Sequence, residues 1–210
     1  MNTLYYVPGA ASLVVHWLMI ELDIPHELRL VDFATRAQKS PEYLRLNPSG
    51  VVPTLVMDGN VLTESGAIVM HLADLHPEAR LAPPPGSLER ARYYQWMHYL
   101  ANMLQPQLRA WWYPDEPAGD GNRDAVLQRA AERAARCFDT LDAHLAANGP
   151  WLLGDRLSAA DFQLAMLMRW SRKLPRPATE WPALERLART LKARPSFRTL
   201  YEREQLTEWA

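Results

Sequence analysis

The sequence predicts an α/β unit over residues 1–80 followed by an all-helical unit over 88–210, with a linker at 81–87. Three observations carry this. Short extended runs alternate with helix-period stretches as far as His76. Pro83-Pro84-Pro85-Gly86 then forms a break that can continue neither helix nor sheet. Beyond that break the extended runs stop.

Residues 3–7 read as a strand stopped by Pro8-Gly9. Residues 12–22 place Leu13, Val14, Trp17, Leu18 and Ile20 on one helical stripe, and Pro25 restarts extended chain into a second strand at 27–33. This βαβ unit implies a parallel pair with a right-handed crossover. After a polar stretch, residues 51–57 and 61–63 flank Asp58-Gly59-Asn60, the pattern of an antiparallel hairpin. Residues 65–76 return to helix period through Ile68, Val69, Leu72 and Leu75. With a connecting helix between the second and third strands, the order is that of a thioredoxin-like α/β domain. The second half reads as helices at 88–112, with a bend at Pro106, and at 124–146, 158–170, 183–193 and 197–204, with a loop at 115–122. Leu127, Ala131, Ala134, Phe138, Leu141 and Leu145 are the expected buried face of the 124–146 helix. Ser158 and Asp161 have capping-box spacing, with Leu157 and Phe162 placed as the hydrophobic staple; this is a folding element with no chemistry assigned.

Composition narrows the function classes. Apolar residues make up 48% of the chain, too many for a disordered one, and no window reaches the roughly 18 consecutive apolar residues of a membrane span. Lys plus Arg is 23 against 24 for Asp plus Glu, so neither nucleic acid nor a membrane surface is an expected partner. The N-terminal Met-Asn-Thr-Leu-Tyr-Tyr has no basic or apolar leader character and reads as strand, so a cytoplasmic protein is expected. The single cysteine, Cys137, can form neither an internal disulfide nor a multi-cysteine metal site, and reads as a small core residue. No metal and no cofactor are expected.

Four motifs occur in register along the two halves: Tyr5-Tyr6-Val7-Pro8-Gly9-Ala10-Ala11-Ser12, Asn47-Pro48-Ser49-Gly50-Val51-Val52-Pro53, Leu62-Thr63-Glu64-Ser65-Gly66-Ala67-Ile68 and Leu157-Ser158-Ala159-Ala160-Asp161-Phe162. Together they give a chain that resembles the cytosolic glutathione transferases, most of all the bacterial beta-type group. The resemblance implies glutathione as co-substrate, a small apolar electrophile as second substrate, and a homodimer. It implies a cis bond before Pro53, with the Val52 backbone facing the cysteinyl part of glutathione; the bland reading is a turn proline. Glu64 would take the γ-glutamyl ammonium, and Ser65 with the helix-start amides its carboxylate; the alternative is plain N-capping. Arg36 matches a basic position for the glycyl end, and Asn102 and Gln105 match positions reaching the partner subunit's glutathione.

The catalytic positions depart from the family pattern. Ala11 stands where beta-type enzymes carry a cysteine, Ala10 where serine-type enzymes carry a serine, and Gln105 where a beta-type histidine is expected. Two hydroxyls remain for the thiolate: Ser12, otherwise an N-cap, and Tyr6, otherwise a half-buried strand aromatic. Backbone donors alone are the third option. Met103, Leu108, Trp111 and Trp112 are the expected electrophile pocket, lying between the halves, or else core and dimer contacts. Conjugation of glutathione to the electrophile is the expected activity. The rivals are a weakly catalytic binding protein, a glutathione-dependent thiol oxidoreductase, and a dehalogenase or isomerase.

Overall fold

A computed structural model describes residues 1–209. Its first part runs β1 (Asn2–Tyr6), α1 (Ser12–Glu21), β2 (His26–Leu30), a 3-10 turn at Ala37–Lys39, α2 (Pro41–Leu46), β3 (Thr54–Met57), β4 (Asn60–Thr63) and α3 (Ser65–Leu75). The strands form one sheet in the order β2-β1-β3-β4, with β1 parallel to β2 and the other pairs antiparallel. Leu4 and Leu55 face each other on the two central strands, and both are fully buried. This is the thioredoxin-like arrangement the sequence predicts.

Two strands are shorter than expected, each for a local reason. β2 stops at Leu30 because the Asp32 side chain accepts the Ala34 amide at 2.9 Å and turns the chain. β3 begins at Thr54 because Pro53 has no amide to give a ladder.

The helices that follow are α4 (Leu88–Tyr99), α5 (Gln105–Trp112), α6 (Asp115–Ala118), α7 (Arg123–Asn148), α8 (Ala159–Trp170), α9 (Pro182–Lys192) and α10 (Pro195–Arg203). The expected bend at Pro106 is a π turn, Leu100–Leu104, between α4 and α5; widening the helix there accommodates a residue that cannot donate backwards. The segment read as a loop contains α6, which Gly119 terminates. On α7 the expected face is shifted slightly: Ala130 and Cys137 are buried, while Leu127 and Ala131 are only half-buried. The Asp142 side chain of α7 accepts the Ala183 amide at 2.7 Å and so caps α9.

Two compact units result: Met1–Leu81 with Ala193–Glu208, and Ala82–Lys192. The last helix therefore belongs with the sheet, which corrects the expected 88–210 grouping. The reason is packing on α1. Trp17 Nε1 donates to Ser196 Oγ at 3.0 Å, the Phe197 ring lies 5.2 Å from Trp17, and Glu21 accepts from both Arg194 and Ser196. Covered by β1, α3 and α10, α1 is buried all round from Ser12 to Met19 rather than along one stripe.

The capping box at Ser158 is formed. Asp161 Oδ2 accepts from the Ser158 amide at 2.8 Å and from its hydroxyl at 2.9 Å, and Oδ1 accepts the Leu152 amide at 2.8 Å. Burial pushes the Asp161 carboxyl up to about 6, against the downward pull of these donors. A folded-state value above the unfolded one means that the folded form binds more protons between about pH 4 and 6. This group's contribution to stability therefore rises as pH falls through that window. Denaturant titrations of wild type and Asp161→Asn should show a gap about 2 kcal/mol wider at pH 4.5 than at pH 7. A gap that narrows on acidification would show that the carboxylate form is the stabilising one.

Candidate glutathione site

The end of the sheet where β1 finishes and β3 begins gathers the candidate residues of the first unit. In register, Tyr5 pairs with Thr54 and Thr54 with Thr63. One step beyond these rungs stand Tyr6, Pro53 and Glu64, with Val52 and Ser65 next in line.

The turn ahead of Val52 is bolted from three sides. The Val51 carbonyl accepts from Tyr43 Oη and from Asn47 Nδ2, both at 2.8 Å, while the Gly50 amide donates to the Asn47 carbonyl at 2.9 Å. Gly50 has φ +60°, and a Cβ there would sit 2.8 Å from the Gln38 carbonyl oxygen, so only glycine fits. The Val52–Pro53 bond is cis, as the resemblance implied. The Val52 side chain is buried against Val31 and Tyr43, and its own amide and carbonyl have no backbone hydrogen bond among the described residues.

Glu64 precedes α3 at φ +66° and ψ +106°, a conformation that costs a non-glycine residue about 1–3 kcal/mol. Its carboxylate is exposed and does not cap the helix. Ser65 is 4% exposed and its hydroxyl is not used as a cap either. The first intrahelical bond runs from the Ile68 amide to the Glu64 carbonyl, which leaves the amides of residues 65–67 as donors at the positive end of an eleven-residue helix. Arg36 is exposed at φ +58° on the loop after β2.

Ser12 departs from both roles expected of it. It is fully buried; its hydroxyl donates to the Val7 carbonyl at 3.1 Å and accepts the Val7 amide at 3.2 Å. The N-cap of α1 is Ala11, with no side-chain cap bond. The serine proton is thus spent on closing the β1–α1 loop. Tyr6 is half-buried, with its ring 6.2 Å from that of His16. Burial, and then the Glu204 carboxylate, hold its phenol above the usual tyrosine range, so it is a neutral donor at pH 7.

The helical unit sorts its candidates differently. Leu108 is fully buried in the α5–α7 packing and is a core residue, which corrects its place in the electrophile pocket. Met103 is 52% exposed, and Trp111 is half-buried. Trp112 donates its indole N–H to the Trp170 carbonyl at 2.9 Å and lies 4.8 Å beneath the Arg172 guanidinium, so its ring is fixed within this unit. Asn102 is exposed on the π turn, and Gln105 accepts from Gln163 Nε2 at 3.2 Å. Cys137 is buried as expected, and burial pushes its thiol up against a bond with Tyr99.

One cluster was missed from the sequence. Glu204, just past α10, is 3% exposed. Its Oε2 accepts the Gly9 amide at 2.8 Å, and its Oε1 lies 2.8 Å from Nδ1 of fully buried His16. The available signal was a histidine inside the apolar run of α1, a polar group that burial obliges to find a partner.

Among the described residues no group of three metal-ligating side chains occurs, and no helix is long and apolar enough to cross a membrane. Comparison with known proteins agrees with the geometry. Residues 2–74 match the model of the glutathione S-transferase N-terminal domain, and residues 124–203 that of the C-terminal domain. The glutathione S-transferase GST-4.5 of Xanthomonas campestris pv. campestris is 37% identical over 81% of this chain and 82% of its own. A beta class glutathione S-transferase from Sphingomonas chungbukensis superposes with a TM-score of 0.86 at 30% identity, over 98% of this chain and 100% of its own. A sphingomonad glutathione S-transferase, solved in complex with glutathione, does so at 0.83 and 30%, with the same coverage. With both halves matched in order and four motifs in register, the chain belongs to the glutathione S-transferase family.

Proposed function

We propose that the protein conjugates glutathione to a small apolar electrophile, binding the tripeptide at the sheet end just described. The observation that carries this is the convergence of unspent groups. The Val52 main chain offers one donor and one acceptor to an extended cysteinyl residue, as strand addition requires. The α3 amides and the Ser65 hydroxyl suit the γ-glutamyl carboxylate, and the Glu64 carboxylate suits the ammonium beside it. Arg36, on the neighbouring loop, is the proposed partner of the glycyl carboxylate.

The proposed chemistry needs no enzyme-bound intermediate. The thiol gives its proton to solvent, the thiolate forms the carbon–sulfur bond, and the electrophile carries away the electron pair that this bond displaces. With Ser12 committed to Val7, the donors left for the thiolate are the Tyr6 hydroxyl and the backbone amides of Ala11 and Ser12 at the start of α1. Met103 and Trp111 are the proposed apolar contacts of the electrophile. A second copy of the chain is the proposed partner, with Asn102 and Gln105 near its glutathione. A second reading, a weakly catalytic glutathione-binding protein, is favoured by Ala10 and Ala11 together with the spent Ser12 hydroxyl. Thiol–disulfide exchange is disfavoured, since the one cysteine is a buried Cys137.

Calorimetric titration should find glutathione binding at millimolar ligand or below, weakened about tenfold in Glu64→Ala; no binding by the wild type would sink the proposal. Because residue 64 sits at positive φ, Glu64→Gly should lose the same affinity yet melt higher than Glu64→Ala, by about 1 kcal/mol.

Ser12→Ala should cost about 1–3 kcal/mol by leaving the Val7 amide without its partner, the Val7 carbonyl keeping the Ala10 amide, with no movement of the pH–rate profile. Tyr6→Phe should instead keep its melting temperature and shift the apparent thiol pKa upward, since the anion loses a donor. A profile that moves with Ser12→Ala and not with Tyr6→Phe would restore the serine as the activating group.

A further inference from the structure

We propose that Glu204 is a positioning residue for the loop that faces the glutathione thiol, acting through the Gly9 amide and through His16; this rests on the glutathione-binding reading above. Besides its own main-chain bonds, the loop, residues 8–11, is tied down by two side chains. Ser12 holds its start by clamping both polar groups of Val7. Glu204 holds its middle, accepting the Gly9 amide where the chain turns at φ +69°. The same carboxylate engages His16, one helical turn into α1, so loop and helix start are referred to one buried group. The Ala11 and Ser12 amides, proposed to meet the thiolate, lie between these two points.

A carboxylate with almost no solvent contact costs several kcal/mol unless its oxygens are satisfied. Here each oxygen has a partner, one a main-chain amide and the other an imidazole nitrogen. Attachment of α10 does not depend on this pair alone. The other end of the helix is held to α1 by Arg194 and Ser196 on Glu21 and by Trp17 on Ser196. That second attachment supplies a control, because Arg194→Ala loosens α10 without touching Gly9.

The test compares full-length wild type, Glu204→Ala, Glu204→Gln and Arg194→Ala. Amide exchange of Gly9 and Ala10, the two bonded amides of the loop, read without ligand, should accelerate at least tenfold in Glu204→Ala and remain near wild type in Arg194→Ala. Affinity for S-methylglutathione, which uses the Val52, Glu64 and Ser65 anchors but has no ionisable thiol, should change less than threefold. kcat with glutathione should fall about ten- to a hundredfold, the loss of a positioned donor set. Glu204→Gln should recover most of both readouts. Its carbonyl oxygen can take the Gly9 amide, and its amide can donate to Nδ1 of the other His16 tautomer. Should Glu204→Ala fail to fold, Glu204→Asp, whose carboxylate is drawn back by one methylene, should show the same directions at smaller size. Unchanged exchange at Gly9 and Ala10, an equal loss of kcat in Arg194→Ala, or Glu204→Gln as impaired as the alanine variant would each overturn the proposal. Failure of the wild type to bind S-methylglutathione would instead overturn the binding reading, and the two failures are therefore distinct.

Discussion

Pro53 has no amide hydrogen, and much of the site follows from that vacancy in the β3 ladder. A donor-bearing residue there could lengthen β3 against β1 and β4 and draw the Val52 main chain into the sheet. With proline at 53 the pairing stops at Thr54, and the preceding backbone is left with one donor and one acceptor unspent. Asn47 and Tyr43 keep the freed segment from wandering by fixing the Val51 carbonyl. The buried Val52 side chain fixes it from the other direction. Main chain left unpaired in this way would ordinarily be a liability; here it is the short, rigid segment proposed to dock the cysteinyl residue. The same register sets Glu64 and the start of α3 beside it.

The first helix is organised by a comparable economy. α1 is buried on every side, so its polar side chains are driven to find partners within the protein, although His16 Nε2 finds none. Ser12 finds Val7, His16 finds Glu204, and the Trp17 indole finds Ser196. Two of these three partners come from the C-terminal segment, which explains why residues 193–208 complete the N-terminal unit. Burial of the helix, rather than the chemistry of the thiol, accounts for the hydroxyl at position 12.

What could be read in the sequence was local. The strands, their order and the break at Pro83-Pro84-Pro85 are written in periodicity and punctuation, which span only a few residues. The junctions at Val52-Pro53 and Glu64-Ser65 were legible for the same reason, each marked by glycine, proline or a strand-to-helix switch, whereas the glutathione roles proposed for them come from the resemblance. Apart from strand ends and the short α6, the misreadings concern partners distant in the chain or hidden in geometry. A serine at a helix start looks the same whether its proton is free or given to Val7. Leu108 among Trp111 and Trp112 looks like a pocket wall until the packing of α5 on α7 is known. Glu204 and His16 are 188 residues apart, and no spacing rule connects them.

A buried carboxylate close to the proposed thiolate would work against that anion, and the arrangement around Glu204 meets that objection. Its charge is answered by the Gly9 amide and by the His16 ring, two donors that face it directly. What remains of its field falls on Tyr6, whose phenol is already held high by burial and is raised further by Glu204. A tyrosine kept protonated can donate a hydrogen bond to a thiolate; one allowed to ionise would repel it. Tyrosine at its ordinary value near 10 is neutral at pH 7 in any case, so Glu204 leaves Tyr6 a donor there. With alanine at both 10 and 11 and Ser12 committed to Val7, the proposed thiolate stabilisation falls to groups that are oriented rather than reactive. In such a site precision of placement takes over the role of a nucleophilic or strongly acidic side chain. On the proposed reading, the fastening of the loop, rather than the identity of any one loop residue, is then what the chemistry would depend on.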